Sequence, residues 1–142
     1  MTTPSPEDGT GAGEESPLVL VVDDDERNRR LAGDVLRLAG LRTLEAATGA
    51  EALSLASAEL PDLVLLDLQL PDLDGVQVVR ELRGNARTAE IPVVALSALR
   101  LDGREAWLRE AGFDGFLAKP IDVGEFPHVV RGYCRSGRAA GA

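Results

Sequence analysis

The chain has few of the side chains that build disulfides, zinc sites or aromatic cores. Its 142 residues include one cysteine and one histidine, and only 4% of them are aromatic. A single cysteine forms no internal disulfide, and one histidine beside it is too little for a zinc site. A chain of this kind is typical of a reducing compartment, so we expect it in the cytoplasm.

Basic charge and long apolar runs are also scarce. Lys and Arg together number 15 against 24 Asp and Glu, which gives a formal net charge of −9 at pH 7. Nucleic acids and anionic membranes bind basic patches, so neither is an expected partner. No stretch approaches the ~20 apolar residues of a membrane-spanning helix. The N-terminus also lacks the basic and apolar regions of a secretory signal.

Two polar tails flank a region of regular hydrophobic pattern. Residues 1–17 are rich in Pro, Gly, Ser, Thr and Glu, and residues 136–142 are small and polar. Both compositions predict disorder. Residues 18–135 are long enough for one domain, and the 44% hydrophobic content of the chain suffices for one core.

Within this domain, short apolar runs alternate with amphipathic segments. Strands are predicted at residues 18–23, 41–46, 62–67, 91–98 and 115–120, and helices at 26–40, 48–60, 74–84, 103–112 and 122–136. Continuous apolar strands are typical of parallel sheets that are covered on both faces. The pattern therefore predicts an α/β fold, a doubly wound five-stranded parallel sheet with helices on both faces.

Several local features of the helices can be predicted as well. Thr48, with Glu51 three residues later, forms a capping-box pattern. Pro127 removes a backbone donor inside the last predicted helix, so this helix is expected to begin later. Trp107 is expected in the core, the alternative being an exposed anchor. The apolar stripe of the first helix is predicted to be Leu31, Val35, Leu36 and either Leu38 or Ala39.

Polar side chains stand at the ends of four strands. They are Asp23, Asp24 and Asp25, then Asp67, then Ser97, then Lys119. Each alone has an ordinary explanation, such as a helix cap for an aspartate or an exposed position for a lysine. The carboxyl ends of parallel strands share one edge of a sheet, however, so we expect these side chains to converge.

The residue types of this set indicate phosphoryl chemistry. Carboxylates close together favour a bound cation, and all-oxygen ligands suit Mg²⁺. A lysine binds a phosphoryl group as a point charge, and a serine hydroxyl can donate a hydrogen bond to it. One carboxylate remains to act as the nucleophile, which predicts an aspartyl-phosphate site with Mg²⁺ as cofactor.

In these residues the chain resembles the receiver domain of two-component response regulators. The matching stretches are LVLVVDDDERNRR, PDLVLLDLQLPDLDG, IPVVALSA and GFDGFLAKPID. The resemblance implies a flavodoxin-like fold with strand order 2-1-3-4-5. It also implies a phosphoryl group taken from a histidine kinase or a histidine phosphotransfer protein, a downstream protein target and no turnover of an external substrate.

The resemblance also assigns roles to the residues at the strand ends. Asp67 would accept the phosphoryl group, which Ser97 and Lys119 would contact. Ser97 and Phe116 would form the switch, and the peptide bond between Lys119 and Pro120 would be cis. The Mg²⁺ ligands would be Asp23, Asp24, Asp67 and the backbone carbonyl of Gln69.

Four interpretations of the whole chain stay open at this point. The first is a stand-alone receiver, monomeric or weakly dimeric, since few residues follow the last helix. The second is a relay intermediate that passes the phosphoryl group to a histidine phosphotransfer protein. The third is an unphosphorylated pseudo-receiver. The fourth, a flavin or nucleotide binder of the same fold class, lacks a glycine-rich loop after the first strand. His128 is expected to be structural rather than a phosphotransfer histidine.

Overall fold

The computed structural model describes residues 16–97, 105–119 and 121–136, in which five strands alternate with five helices. The strands are β1 (Leu18–Val22), β2 (Arg42–Ala46), β3 (Leu63–Asp67), β4 (Val93–Ser97) and β5 (Gly115–Ala118). The helices are α1 (Glu26–Leu38), α2 (Gly49–Glu59), α3 (Gly75–Arg83), α4 (Glu105–Ala111) and α5 (Phe126–Ser136). Residues 1–15 and 137–142 lie outside the described part, so the predicted disorder of the tails stays a prediction.

The strands form one parallel sheet in the order β2-β1-β3-β4-β5. All five residues of β3 and all five of β4 are buried. Such continuous apolar strands are expected where helices cover both faces of a parallel sheet. The predicted α/β class and the strand order implied by the resemblance are both confirmed.

Successive side chains of a strand point to opposite faces, so β1 contributes to two cores. Leu20 and Val22 pack on the face that is covered by α2, α3 and α4. Val19 and Val21 pack on the other face, against α1 and α5. Burial of these aliphatic side chains removes apolar surface from water, the dominant favourable contribution to folding.

The apolar stripe predicted for α1 is partly wrong. Leu31 is 42% exposed and Leu38 is 89% exposed, whereas Ala32 and Leu36 are buried. Ala39 packs beside them at the end of the stripe. Both sets contain residues spaced seven apart, so helical periodicity alone does not choose between them. The smaller residue, Ala32, is the one that packs in the core between α1 and the sheet.

The predicted burial of Trp107 is also wrong, because its side chain is 50% exposed. The neighbouring Leu108 is 1% exposed and packs on the face of the sheet that α2 and α3 cover. The described part of α4 is only seven residues long. It reaches the core through Leu108, which leaves Trp107 on the outward side of the helix.

The ends of two helices agree with the predicted local signals. The Thr48 hydroxyl accepts a hydrogen bond from the Glu51 amide at 3.1 Å, as a capping residue does. The last helix begins at Phe126, later than residue 122, as the proline suggested. Pro127 is its second residue, where a missing amide costs no intrahelical bond. Among the described residues, no helix has the length and apolar character that crossing a membrane requires.

Candidate functional site

The carboxyl ends of β1, β3, β4 and β5 surround an open cleft of about 400 Å³. The lining residues are Asp23, Asp24, Asp25, Asn28, Asp67, Gln69, Leu70, Pro71, Ser97 and Lys119. The sheet therefore brings together every polar side chain that the sequence placed at these strand ends. This follows from the parallel topology, in which all carboxyl ends lie on one side.

Three carboxylates form the acidic part of the cleft. One oxygen each from Asp23, Asp24 and Asp67 lies within 4.8 Å of the others. Asp23 is 1% exposed and Asp67 is 8% exposed, whereas Asp24 is open to solvent. Ionised carboxylates this close repel one another unless a cation lies among them. The oxygen donors and the excess negative charge fit a hard divalent cation such as Mg²⁺.

Lys119 supplies one positive charge to this cluster. Its Nζ lies 2.8 Å from Asp23 Oδ2 and 3.1 Å from Asp67 Oδ2, so one ammonium group bridges two strand ends. Burial lowers the pKa of Lys119, but the hydrogen bonds to the two carboxylates raise it by more, and the net direction is upward. The lysine is therefore charged at neutral pH, and its single charge does not balance three carboxylates.

Asp67 lies at the end of β3 and is largely buried, which disfavours its charged form. Burial raises the pKa of Asp67, and the bonds from the Gln69 amide and from Lys119 lower it by less, so the pKa is raised overall. Its Oδ1 accepts from the Gln69 amide at 3.0 Å, and its Oδ2 accepts from Lys119. The protein thus holds the carboxylate in one orientation and stabilises its charge only in part.

Asp25 differs from the two aspartates before it. Its carboxylate accepts hydrogen bonds from the amides of Arg27 and Asn28, at 2.9 Å and 3.3 Å. These amides belong to the first turn of α1 and have no partner within the helix. Asp25 is therefore the N-cap of α1, and the ordinary explanation of an aspartate in this position applies to it.

Ser97 closes the cleft from the β4 side. It is 4% exposed, and its backbone carbonyl accepts a hydrogen bond from the Lys119 amide at 2.9 Å. Ser97 pairs with Ala118 in the parallel register of β4 and β5. The serine and the lysine are therefore held side by side at the ends of adjacent strands.

The loop between β3 and α3 lines the cleft with Gln69, Leu70 and Pro71. Gln69 forms an antiparallel bridge with Asp74 at the base of this loop. Near the middle of the loop, the Asp72 carboxylate accepts from the amides of Gly49 and Ala50, at 2.8 Å and 3.0 Å. These bonds lower the pKa of Asp72 and fasten the cleft loop to the start of α2.

Comparison with known proteins decides the family. Residues 19–131 match the family model described as the response regulator receiver domain. The chain belongs to this family. It is 36% identical over 115 residues to the polar-differentiation response regulator DivK of Brucella ovis, a match that covers 81% of this chain and 94% of DivK.

Solved structures agree with this assignment. The receiver domain of the Francisella response regulator 1452 superposes with a TM-score of 0.78 at 30% identity and covers 85% of this chain and 98% of its own. The receiver domain of the sensor histidine kinase PA1611 from Pseudomonas aeruginosa gives 0.76 at 30% identity, with 84% and 98% covered. That structure has a magnesium ion coordinated in its active-site cleft.

Two further residues singled out by the resemblance are Phe116 and Pro120. Phe116 is a half-buried residue of β5, and the Arg109 guanidinium carbon lies 5.2 Å from the centre of its ring. Pro120 falls outside the described residues, so the cis peptide bond stays a prediction. His128 is exposed on α5.

The link between Asp72 and α2 was not predicted from the sequence. It joins residues 22 and 23 positions apart, one in the cleft loop and two in the first turn of α2. Capping patterns in a sequence are local, with the cap within a few residues of the helix that it serves. A cap that comes from another loop leaves no such pattern, and only the fold reveals it.

Proposed function

We propose that Asp67 of this receiver accepts a phosphoryl group from a histidine kinase or a histidine phosphotransfer protein. The observation that supports this most directly is the position of Asp67 in the acidic cleft. It ends the central strand β3, shares Lys119 with Asp23, and lies within 4.8 Å of Asp24. A buried carboxylate with a raised pKa and an open cleft in front of it is suited to act as a nucleophile.

The proposed transfer uses groups that already surround Asp67. A carboxylate oxygen of Asp67 attacks phosphorus, the bond from phosphorus to the donor histidine nitrogen breaks, and that nitrogen leaves with the electron pair. Lys119 stays beside the new acyl phosphate, and the Ser97 hydroxyl donates a hydrogen bond to one of its oxygens. Asp23, Asp24, Asp67 and the Gln69 carbonyl would hold Mg²⁺, which when bound neutralises negative charge on the phosphoryl oxygens.

We propose that the output is a change in a protein-binding face. A phosphoryl group adds charge and acceptor oxygens at the end of β3. Ser97 lies on the adjacent strand β4, and the next strand carries Phe116 opposite Ala95. An inward movement of Ser97 would change the packing that Phe116 meets, which biases a two-state surface.

The same proposal covers the setting of the reaction. The domain, residues 18–135, would act in the cytoplasm as a monomer or weak dimer, without turnover of an external substrate. Its downstream target would be a protein. If the phosphoryl group instead moves on to a histidine phosphotransfer protein, the chemistry at Asp67 is the same and only the acceptor differs.

Trp107 provides the test, since it is the only tryptophan of the chain and is half-exposed on α4. We expect beryllofluoride, an analogue of a phosphoryl group, to change its fluorescence in a saturable and Mg²⁺-dependent way. The matched variant Asp67→Asn should give no change. If the variant responds as the unchanged protein does, Asp67 is not the acceptor. If neither responds, the pseudo-receiver interpretation replaces this one.

A further inference from the structure

Arg29 lies beside the cleft without lining it. Its side chain is 17% exposed. Its Nη1 donates to the backbone carbonyl of Asp23 at 2.9 Å, and its Nε donates to Glu45 Oε1 at 3.1 Å. One arginine of α1 therefore joins the end of β1 to β2, directly behind one of the three clustered carboxylates.

Every polar atom of Asp23 has a partner within the protein. Its amide donates to the Ala46 carbonyl at 3.1 Å, and its carbonyl accepts from Arg29. Its Oδ1 accepts from the Asp25 amide at 2.9 Å, and its Oδ2 accepts from Lys119. Of these partners, Ala46 and Arg29 hold the backbone, and the backbone sets the direction in which the carboxylate points.

Glu45 makes it possible for an arginine to serve this purpose beside a cation site. A lone positive charge there would repel a divalent cation. The Glu45 carboxylate pairs with Arg29 at 3.1 Å and lies 3.8 Å from Arg37. The charge of Arg29 is therefore offset by Glu45, and Arg29 acts on Asp23 through a hydrogen bond rather than through net charge.

We propose that Arg29 is a positioning residue for the divalent cation, because it fixes the backbone of Asp23, and that Glu45 orients Arg29 and balances its charge. The inference rests on the proposed function. Partners that orient metal ligands in this way typically change metal affinity about 10- to 100-fold when they are replaced.

The sign of the effect distinguishes positioning from charge. If Arg29 acted only as a positive charge, Arg29→Gln would let the full chain bind Mg²⁺ more tightly. If it positions Asp23, the same substitution weakens Mg²⁺ binding, by about 10-fold. Titration calorimetry with MgCl₂ measures this directly. The matched control is Arg30→Gln, since Arg30 pairs with Glu26 at 2.9 Å while 69% exposed, and we expect unchanged affinity.

A second measurement needs no metal. The Asp25 amide donates to Asp23 Oδ1, so its hydrogen exchange reports the order of the Asp23 carboxylate. We expect faster exchange at this amide in Arg29→Gln than in Arg30→Gln, with both variants folded. Arg29→Lys keeps the charge and reaches fewer acceptors, so it should recover part of the protection.

The outcomes separate this inference from the proposed function. Equal or tighter Mg²⁺ binding in Arg29→Gln, with unchanged exchange at the Asp25 amide, would overturn the positioning role. If the unchanged protein binds no Mg²⁺, the proposed function fails, and exchange at Asp25 still decides whether Arg29 orders Asp23. Glu45→Gln should also weaken Mg²⁺ binding, because it leaves the charge of Arg29 unbalanced beside the cleft.

Discussion

The two edges of the sheet differ in the ratio of positive to negative charge among their partly buried side chains. At the amino edge, the Arg83 guanidinium donates to Asp114 Oδ2 at 2.9 Å and to the carbonyls of Gly112 and Ile91 at 2.7 Å and 2.6 Å. There, a cation with many donors meets one carboxylate and several neutral acceptors. At the carboxyl edge, Lys119 faces three carboxylates.

This difference separates a structural cluster from a reactive one. Where the guanidinium meets a carboxylate and its remaining donors meet carbonyls, the arrangement holds loops together. Where negative charge exceeds positive charge, the carboxylates repel one another and the cluster attracts cations. At the amino edge, therefore, Arg83 joins the segments that precede β4 and β5. At the carboxyl edge, the single charge of Lys119 leaves the carboxylate cluster with excess negative charge that a cation can neutralise.

The largest expected effect comes from removal of the Arg83–Asp114 ion pair at the amino edge. Arg83→Met should lower the free energy of unfolding by about 3 kcal/mol, because the half-buried Asp114 carboxylate and the carbonyls of Gly112 and Ile91 lose the guanidinium that bonds them. Urea denaturation measures this loss. Arg80→Met is the matched control, since Arg80 is exposed on the same helix, and it should change stability by less than about 0.5 kcal/mol. Equal losses in the two variants would contradict the structural role of Arg83.

Removal of the Lys119 ammonium from the carboxyl edge should instead lower the rate of phosphoryl transfer. Lys119→Ala should still accept a phosphoryl group from acetyl phosphate, about 100-fold more slowly, since one charged donor to the phosphoryl oxygens is lost. The Trp107 fluorescence change should be blunted. Time-resolved intact mass measures the rate. An unchanged rate and a full fluorescence response would show that Lys119 is not part of the phosphoryl site.

The smallest effect is expected at Asp72, which is exposed but tied to α2. Its pKa is lowered in the folded protein by the bonds from Gly49 and Ala50. Its contribution to stability is therefore complete above its unfolded-state pKa, and is lost as pH falls through the folded-state pKa. Asp72→Ala should lower the midpoint of thermal unfolding by a few °C at pH 7, and the difference should shrink in acid.

A matched control for Asp72 lies at the amino edge. The Asp62 carboxylate accepts a hydrogen bond from the Leu18 amide at 2.8 Å, at the opposite end of β3 from the cleft loop. Asp62→Ala should also reduce thermal stability, but only Asp72→Ala should weaken Mg²⁺ binding, because only Asp72 fastens the loop that carries Gln69. Equal Mg²⁺ affinity in both variants would contradict this link.

Much of the fold and the placement of the site residues could be predicted from local pattern. Alternation of short apolar runs with helices fixes a parallel sheet, and a parallel sheet places all carboxyl ends together. Asp67 could be singled out because it ends a buried run. Lys119 is the only lysine of the chain, and its compact ammonium can bind a phosphoryl oxygen as a point charge.

What could not be predicted depends on contacts between distant elements. Helical periodicity does not choose between Leu31 and Ala32 in α1, and only the contacts of the folded helix show that Ala32 is the buried one. The bonds from Asp72 join the cleft loop to the first turn of α2, two segments that only the folded chain brings together. The bond from Arg29 to the Asp23 carbonyl involves a backbone acceptor, which has no signature in a sequence.

The central claim is that Asp67 is the phosphoryl acceptor, and one measurement tests it most directly. Intact mass of the full chain is recorded after incubation with acetyl phosphate and Mg²⁺, beside the Asp67→Asn variant. We expect the unchanged protein to gain one phosphoryl group and the variant to gain none. A phosphoryl group on the variant, or none on the unchanged protein, would contradict the claim.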